Sequence, residues 1–156
     1  FFVEGLDADL QRQYFVRQLE FARDFDLPVV LHARRAVDEV IATIRRIGGL
    51  RGVVHSWSGS EEQAAQLWRL DFSLGIGGPV TFERARRLRR TVATMPIEHL
   101  LIETDSPDQP DAARRGQRNE PAFLVDVLRE VARLRGESEE AVAEATRRNA
   151  EALFGA

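Results

Sequence analysis

Four times along this chain a short apolar run ends in a polar or glycine residue and gives way to a helical stretch. Leu27 to Leu31 is followed by His32, Gly52-Val53-Val54 by His55, Phe72 to Ile76 by Gly77-Gly78, and Leu100 to Glu103 by Thr104-Asp105. Short runs rich in valine, isoleucine and leucine have the composition of strands covered on both faces. Strict alternation with helices makes such strands parallel and their crossovers right-handed. Two architectures satisfy that pattern: an open doubly wound sheet, or a segment of a (β/α)8 barrel.

A helix precedes the first run. Leu10, Tyr14, Leu19 and Phe21 recur at roughly helical spacing between Asp7 and Asp26, with Asp7 or Asp9 as N-cap and Pro28 beyond the far end. The pattern predicts further helices from Ala36 to Ile47, closed by Gly48-Gly49, and from the capping box Ser60-Glu61-Glu62-Gln63 to Leu70. Another runs from an N-cap at Thr81 to Thr94, before Pro96. Pro121 fits the first turn of a helix to Leu134, and Ser138 caps a last one reaching Leu153. The polar loop up to Glu120 is longer than the other connections, and long loops in compact domains are often functional.

No linker or low-complexity tract divides the 156 residues, so one domain over 1–156 is expected. The chain has no cysteine, which removes disulfide and thiolate chemistry and leaves His, Asp and Glu as the metal ligands. A reducing cytoplasm is the expected compartment. The formal net charge of −3 argues against a broad basic surface. No apolar run is long enough to cross a bilayer, and Phe1-Phe2-Val3-Glu4 lacks the basic start of a signal peptide, so no membrane partner is expected.

The C-terminal ends of parallel strands share one face, so His32, His55, Gly77 and Asp105 are expected to converge there. Two imidazoles and a carboxylate suit a borderline divalent cation such as zinc, and a carboxylate beside the metal can take a proton from water. For one histidine alone, a strand-end residue bonded to backbone is an equal reading. Two of only three histidines at successive strand ends shift the balance. His99 precedes its strand and is expected at the opposite end, in a structural role.

Asp105 also suits a turn, because Asp-Ser-Pro is a good turn sequence. Arg34 can grip a phosphate, or pair with Asp38 or Glu39 as a solvated arginine, which spacing alone favours. Gly75-Ile76-Gly77-Gly78 either cradles an anion or permits close packing. The arginine-rich stretch from Glu83 to Arg90 reads as a solvated helix face, with nucleic-acid contact as the lesser alternative.

Four segments, in order, resemble signatures of the TatD family of metal-dependent hydrolases, the TatD-type deoxyribonucleases. They are Leu31-His32-Ala33-Arg34, Val54-His55-Ser56-Trp57-Ser58-Gly59, Glu103-Thr104-Asp105-Ser106-Pro107 and Arg118-Asn119-Glu120-Pro121. Gly77 to Phe82 and Asn149 to Phe154 extend the resemblance over nearly the whole chain. It implies an α/β fold, the C-terminal portion of a (β/α)8 TIM-type barrel with about four parallel βα units plus C-terminal helices. It implies hydrolysis of DNA phosphodiesters, or of a small phosphoester, by metal-activated water, with one or two divalent cations drawn from Zn, Mg or Mn. Under it His32, His55 and Asp105 are metal ligands, Asp105 also orients or deprotonates the water, and Arg34, Arg118 and Asn119 contact substrate. An amide or acyl hydrolase on the same scaffold, or a non-catalytic half barrel that requires a partner chain, are the alternatives.

The family pattern also has an opening H-x-H strand and a metal-bridging Glu in a G-E-I-G-L-D-type strand, and neither occurs here. Phe1 onward resembles the segment just after that glutamate strand, and a typical barrel takes about 250 residues. The expectation is a chain without its four N-terminal strands, weak or inactive alone and prone to self-associate through open sheet edges.

Overall fold

Each apolar run becomes a strand: β1 (Val29–His32), β2 (Gly52–His55), β3 (Phe72–Ile76) and β4 (Leu100–Ile102). A computed structural model of the chain describes residues 5 and 7–155, so the resemblance drawn at Phe1 lies outside the described residues. The strands pair in the order β1-β2-β3-β4, parallel throughout. A doubly wound sheet reverses its order at a switch point. No such reversal occurs among the described residues.

β1 begins later than the sequence pattern predicts. The Leu27 N–H turns back to Ala22 O at 2.8 Å, and Pro28 has no N–H to offer a ladder. Glu103 lies just past β4, although its N–H still bonds Ile76 O at 3.0 Å.

The helices start where side chains can replace the missing backbone acceptors. Asp7 caps α1 (Ala8–Asp24), its carboxylate accepting from the N–H groups of Asp9 and Leu10 at 2.9 and 3.0 Å. Ser60 and Gln63 form the reciprocal capping box of α3 (Glu61–Trp68). Between them, α2 (Val37–Ile47) ends on Gly48 at φ 67°. Ser138 caps α6 (Glu139–Phe154), which follows α5 (Leu124–Arg135).

Thr81 is not the cap the sequence suggests. It closes a 3-10 turn, Gly78–Thr81, its hydroxyl donating to Gly78 O and accepting from the Ala112 N–H, both at 2.7 Å. The arginine-rich helix α4 (Arg86–Thr94) begins only after that turn and has no side-chain cap. Pro121 likewise opens a 3-10 turn, Pro121–Phe123, rather than α5 itself.

Alternation of side chains gives the sheet two distinct faces. Leu31, Val54, Leu74 and Leu100 pack with Leu19, Ile44, Leu67, Val92 and Val131 of the helices in the main core. Full burial of each such side chain contributes about 1.5–3 kcal/mol. Val30, Val53 and Leu101 face the other way; Val53 and Leu101 are buried there, while Val30 on the edge strand is 60% exposed. His32 and His55 continue this second face. No helix among the described residues is long and apolar enough to cross a membrane.

Candidate metal centre

Register decides which side chains meet. His32 and His55 are direct partners at the last rung between β1 and β2, so both rings leave the same face at the C-terminal edge of the sheet. Nδ1 of His32 lies 2.8 Å from Nε2 of His55, with ring centroids 4.9 Å apart. At that distance one ring donates its N–H and the other accepts. Two nitrogens bound to one tetrahedral zinc at about 2.0–2.1 Å stand about 3.3 Å apart, so the rings part by about half an ångström to admit an ion. The pair therefore fits a divalent cation as two converging imidazole donors. Among the described residues, no group of three or more His, Asp or Glu side chains is placed to hold one.

The carboxylate that reaches the pair is Glu103, which stands in a sequence motif but receives no role from it. Its side chain crosses β3 over Gly75, and Oε1 accepts from the Ser56 N–H at 2.6 Å while standing 3.7 Å from His55 Nδ1. An Nδ1–H turned toward a carboxylate leaves the Nε2 lone pair aimed at His32, the tautomer a metal ligand needs. Only glycine permits the crossing: a Cβ on residue 75 would lie 2.3 Å from Glu103 Oε2 and 3.0 Å from the His55 Cα. This is the close-packing reading of the glycine-rich strand end. Burial pushes the Glu103 carboxyl above its usual range and the Asp105 charge adds to the rise, while the Ser56 N–H and His55 pull it down. Leu101 and Glu103 alternate onto one face with Gly75 alongside, and that signal becomes readable only with the register in hand.

Asp105 is half-buried beyond Glu103 and is held by the loop. Its Oδ2 accepts from Gln109 Nε2 at 2.5 Å, and Gln109 Oε1 accepts from the Ser56 hydroxyl at 2.9 Å. Ser56 thus joins both carboxylates, Glu103 through its backbone and Asp105 through Gln109. Ser56, Gln109 and Arg35 adopt φ values of 50°, 49° and 55°. Left-handed backbone at non-glycine residues is costly and gathers at functional sites, and these three lie in the loops at this end of the sheet.

Arg34 is exposed and lines an open groove of ≈ 720 Å³ together with His32, Ser56 and Gln109. Arg118 is exposed on the long loop. Asn119 is buried, and its amide is taken up by that loop: Nδ2 donates to Asp108 O at 2.8 Å and Gln109 O at 3.3 Å, and Oδ1 accepts from the Glu120 N–H at 2.9 Å. His99 precedes β4 and stacks on Trp68, ring centroids 6.3 Å apart.

A family model described as TatD related DNase matches residues 2–155. The chain belongs to that family. A Haemophilus influenzae protein named as an uncharacterized metal-dependent hydrolase is 38% identical to this TatD-related chain over 145 residues, which are 92% of the chain and 55% of the relative. The 3'-5' ssDNA/RNA exonuclease TatD of a Rahnella species is 37% identical over 94% of the chain and 59% of its own length. The crystal structure of YJJV, a TatD homolog from Escherichia coli K12, superposes with a TM-score of 0.86 at 35% identity, over 99% of this chain and 61% of that one. The TatD-related chain thus spans little more than half the length of the curated relatives it matches.

Proposed function

We propose that this TatD-related chain carries part of a metal-dependent site that hydrolyses phosphodiester bonds in nucleic acid, and that its four strands form one arc of a (β/α)8 barrel. The observation that carries the reading is the contact between His32 Nδ1 and His55 Nε2, two imidazole nitrogens facing each other at 2.8 Å. They lie at the C-terminal end of parallel strands, where such barrels place their chemistry. The unreversed strand order supports the arc. The Rahnella relative, a 3'-5' ssDNA/RNA exonuclease, suggests the substrate class.

His32 and His55 would hold a divalent cation, Zn, Mg or Mn, with Glu103 fixing the tautomer of His55. Such a cation, when bound, lowers the pKa of water and neutralises charge on phosphoryl oxygens. Gln109 occupies Oδ2 of Asp105, and Oδ1 would be the oxygen to take the proton from water. Asp105 accepts the proton as the water oxygen bonds to phosphorus; the P–O ester bond breaks, and the leaving oxygen is protonated from solvent. Arg34 grips a non-bridging phosphate oxygen from the groove wall, with Arg118 meeting the substrate from the long loop. Asn119 acts on the substrate at one remove, by holding the loop that carries Gln109.

The test is cleavage of a labelled single-stranded oligonucleotide in EDTA and after adding back Zn, Mg or Mn, using the protein alongside His55→Ala and Asp105→Ala. Activity that returns with metal and falls at least about 100-fold in both variants supports the roles, since a positioned general base alone contributes about 10²–10⁴. Unchanged activity in the variants removes them. Turnover of amide substrates in place of the oligonucleotide would move the site to acyl chemistry.

A further inference from the structure

Arg84, Arg86 and Arg87 form a wall of the groove that opens onto His32. With Arg34 they give its lining four arginines and no carboxylate, in a chain whose 25 acidic residues outnumber its 22 basic ones. Many arginines elsewhere are matched. A slightly larger groove between α1 and α2, ≈ 780 Å³, has four arginines with three carboxylates, and there Arg12 pairs with Asp9 and Glu39 and Arg17 with Glu20. On α4 itself, Arg89 pairs with Glu130 and Arg90 with Glu61.

Among the described residues, Arg84, Arg86 and Arg87 form no ion pair. Arg84 lies over the Phe82 ring, 5.3 Å from its centroid, and Arg87 donates to Ser58 O at 2.9 Å. Both contacts hold the guanidinium stems at the groove and leave the positive charge uncompensated. The first turn of α4 also faces the groove, and its N–H groups have no side-chain cap. Neighbouring like charges repel, and an anion laid along them removes that repulsion while releasing counterions.

We propose that this groove is a subsite for the phosphates flanking the reacting one, so that the centre selects a single-stranded nucleic acid over an isolated phosphoester. The proposal rests on the phosphodiester reading above. One guanidinium, Arg34, is enough to orient a single phosphate. Three more along one wall match a backbone that continues past the histidine pair, the arrangement by which positively charged grooves track single strands.

The experiment is fluorescence anisotropy of a labelled oligo-dT titrated with the protein in EDTA, across a range of NaCl. Each phosphate contact on a single strand contributes about −0.7 to the slope of log K against log salt, so Arg84→Gln/Arg86→Gln should reduce the slope by about 1.4 and weaken binding about tenfold or more at low salt. Arg46→Gln/Arg69→Gln removes equal charge away from the groove and should leave the slope unchanged. An unchanged slope in the groove variant, or an equal loss in the control, overturns the subsite. So does displacement of the strand by polyglutamate at equal charge. Cleavage of the same oligo-dT by the unmodified protein with metal is measured separately: if it is absent while binding depends on the groove, only the hydrolase reading fails.

Discussion

Glu103 passes over Gly75 so closely that a methyl group on residue 75 would stand 2.3 Å from its Oε2. The absence of a side chain at this point of β3 is what lets the residue just past β4 reach the backbone after β2. One glycine thereby connects three strands.

Gly75→Ala is expected to lower stability by about 1–3 kcal/mol, the range for forcing extra atoms into a packed site. Combined with Glu103→Ala, part of that loss returns, with a coupling of at least about 0.5 kcal/mol in a urea-denaturation double-mutant cycle. Strict additivity would show that the two residues do not meet.

Removing either imidazole should abolish tight divalent binding. His32→Ala and His55→Ala are each expected to weaken zinc affinity, read by isothermal titration, by at least about 100-fold, whereas Glu103→Gln, which disturbs only the orientation of His55, falls within about 10–100-fold. Equal zinc affinity in His32→Ala and the unmodified protein would exclude the pair as ligands.

Asn119 ties the long loop to itself through three hydrogen bonds in a buried setting. Asn119→Ala leaves these part-buried loop groups without their partner, and a loss of about 1–3 kcal/mol is expected. Amide exchange in the loop should accelerate with it. A variant of full stability whose KM alone rises would instead put Asn119 in direct contact with substrate.

Acid should expose the α4–α5 contact. Arg133 holds the Glu130 carboxyl below its usual value of 4.5, opposed by burial and reinforced by Arg89, which stands 2.5 Å away. A carboxyl that is more acidic in the folded state stabilises the protein fully above its unfolded pKa and loses that contribution as pH falls through the folded one. Glu130→Gln should therefore cost about 1 kcal/mol at pH 7, the upper end for a lightly exposed pair. Once the pH has fallen below the depressed Glu130 value, the two proteins should denature alike in urea. A gap that persists in acid would mean that packing, not charge, is lost.

The histidines are legible in the sequence because a polar residue closing an apolar run marks a strand end, and parallel pairing gathers strand ends. The motif around Asp105 is legible as well, but not its distance from the pair, because the loop turns there and Gln109 claims the carboxylate. The role of Glu103 escapes notice because it depends on a donor 47 residues away, the Ser56 N–H, and on a register that no single strand reveals. Thr81 is misread for a similar reason. Its hydroxyl suits a helix cap locally, yet it is taken by Gly78 and by Ala112, which lies 31 residues further on. Local chemistry identifies the elements, and tertiary hydrogen bonds reassign individual side chains within them.

The strand order β1-β2-β3-β4 has a consequence for synthesis. Among the described strands, β2, β3 and β4 each leave the ribosome with a hydrogen-bonding neighbour already made, one crossover helix earlier, so none of these pairings waits for a distant segment. The entropy of closing each loop is that of a single βα unit, and assembly can keep pace with translation at about 5–20 residues per second. A circular permutant opened between β2 and β3 would separate neighbours that the natural order delivers together, and it would be left with an unpaired strand edge until its last element emerged.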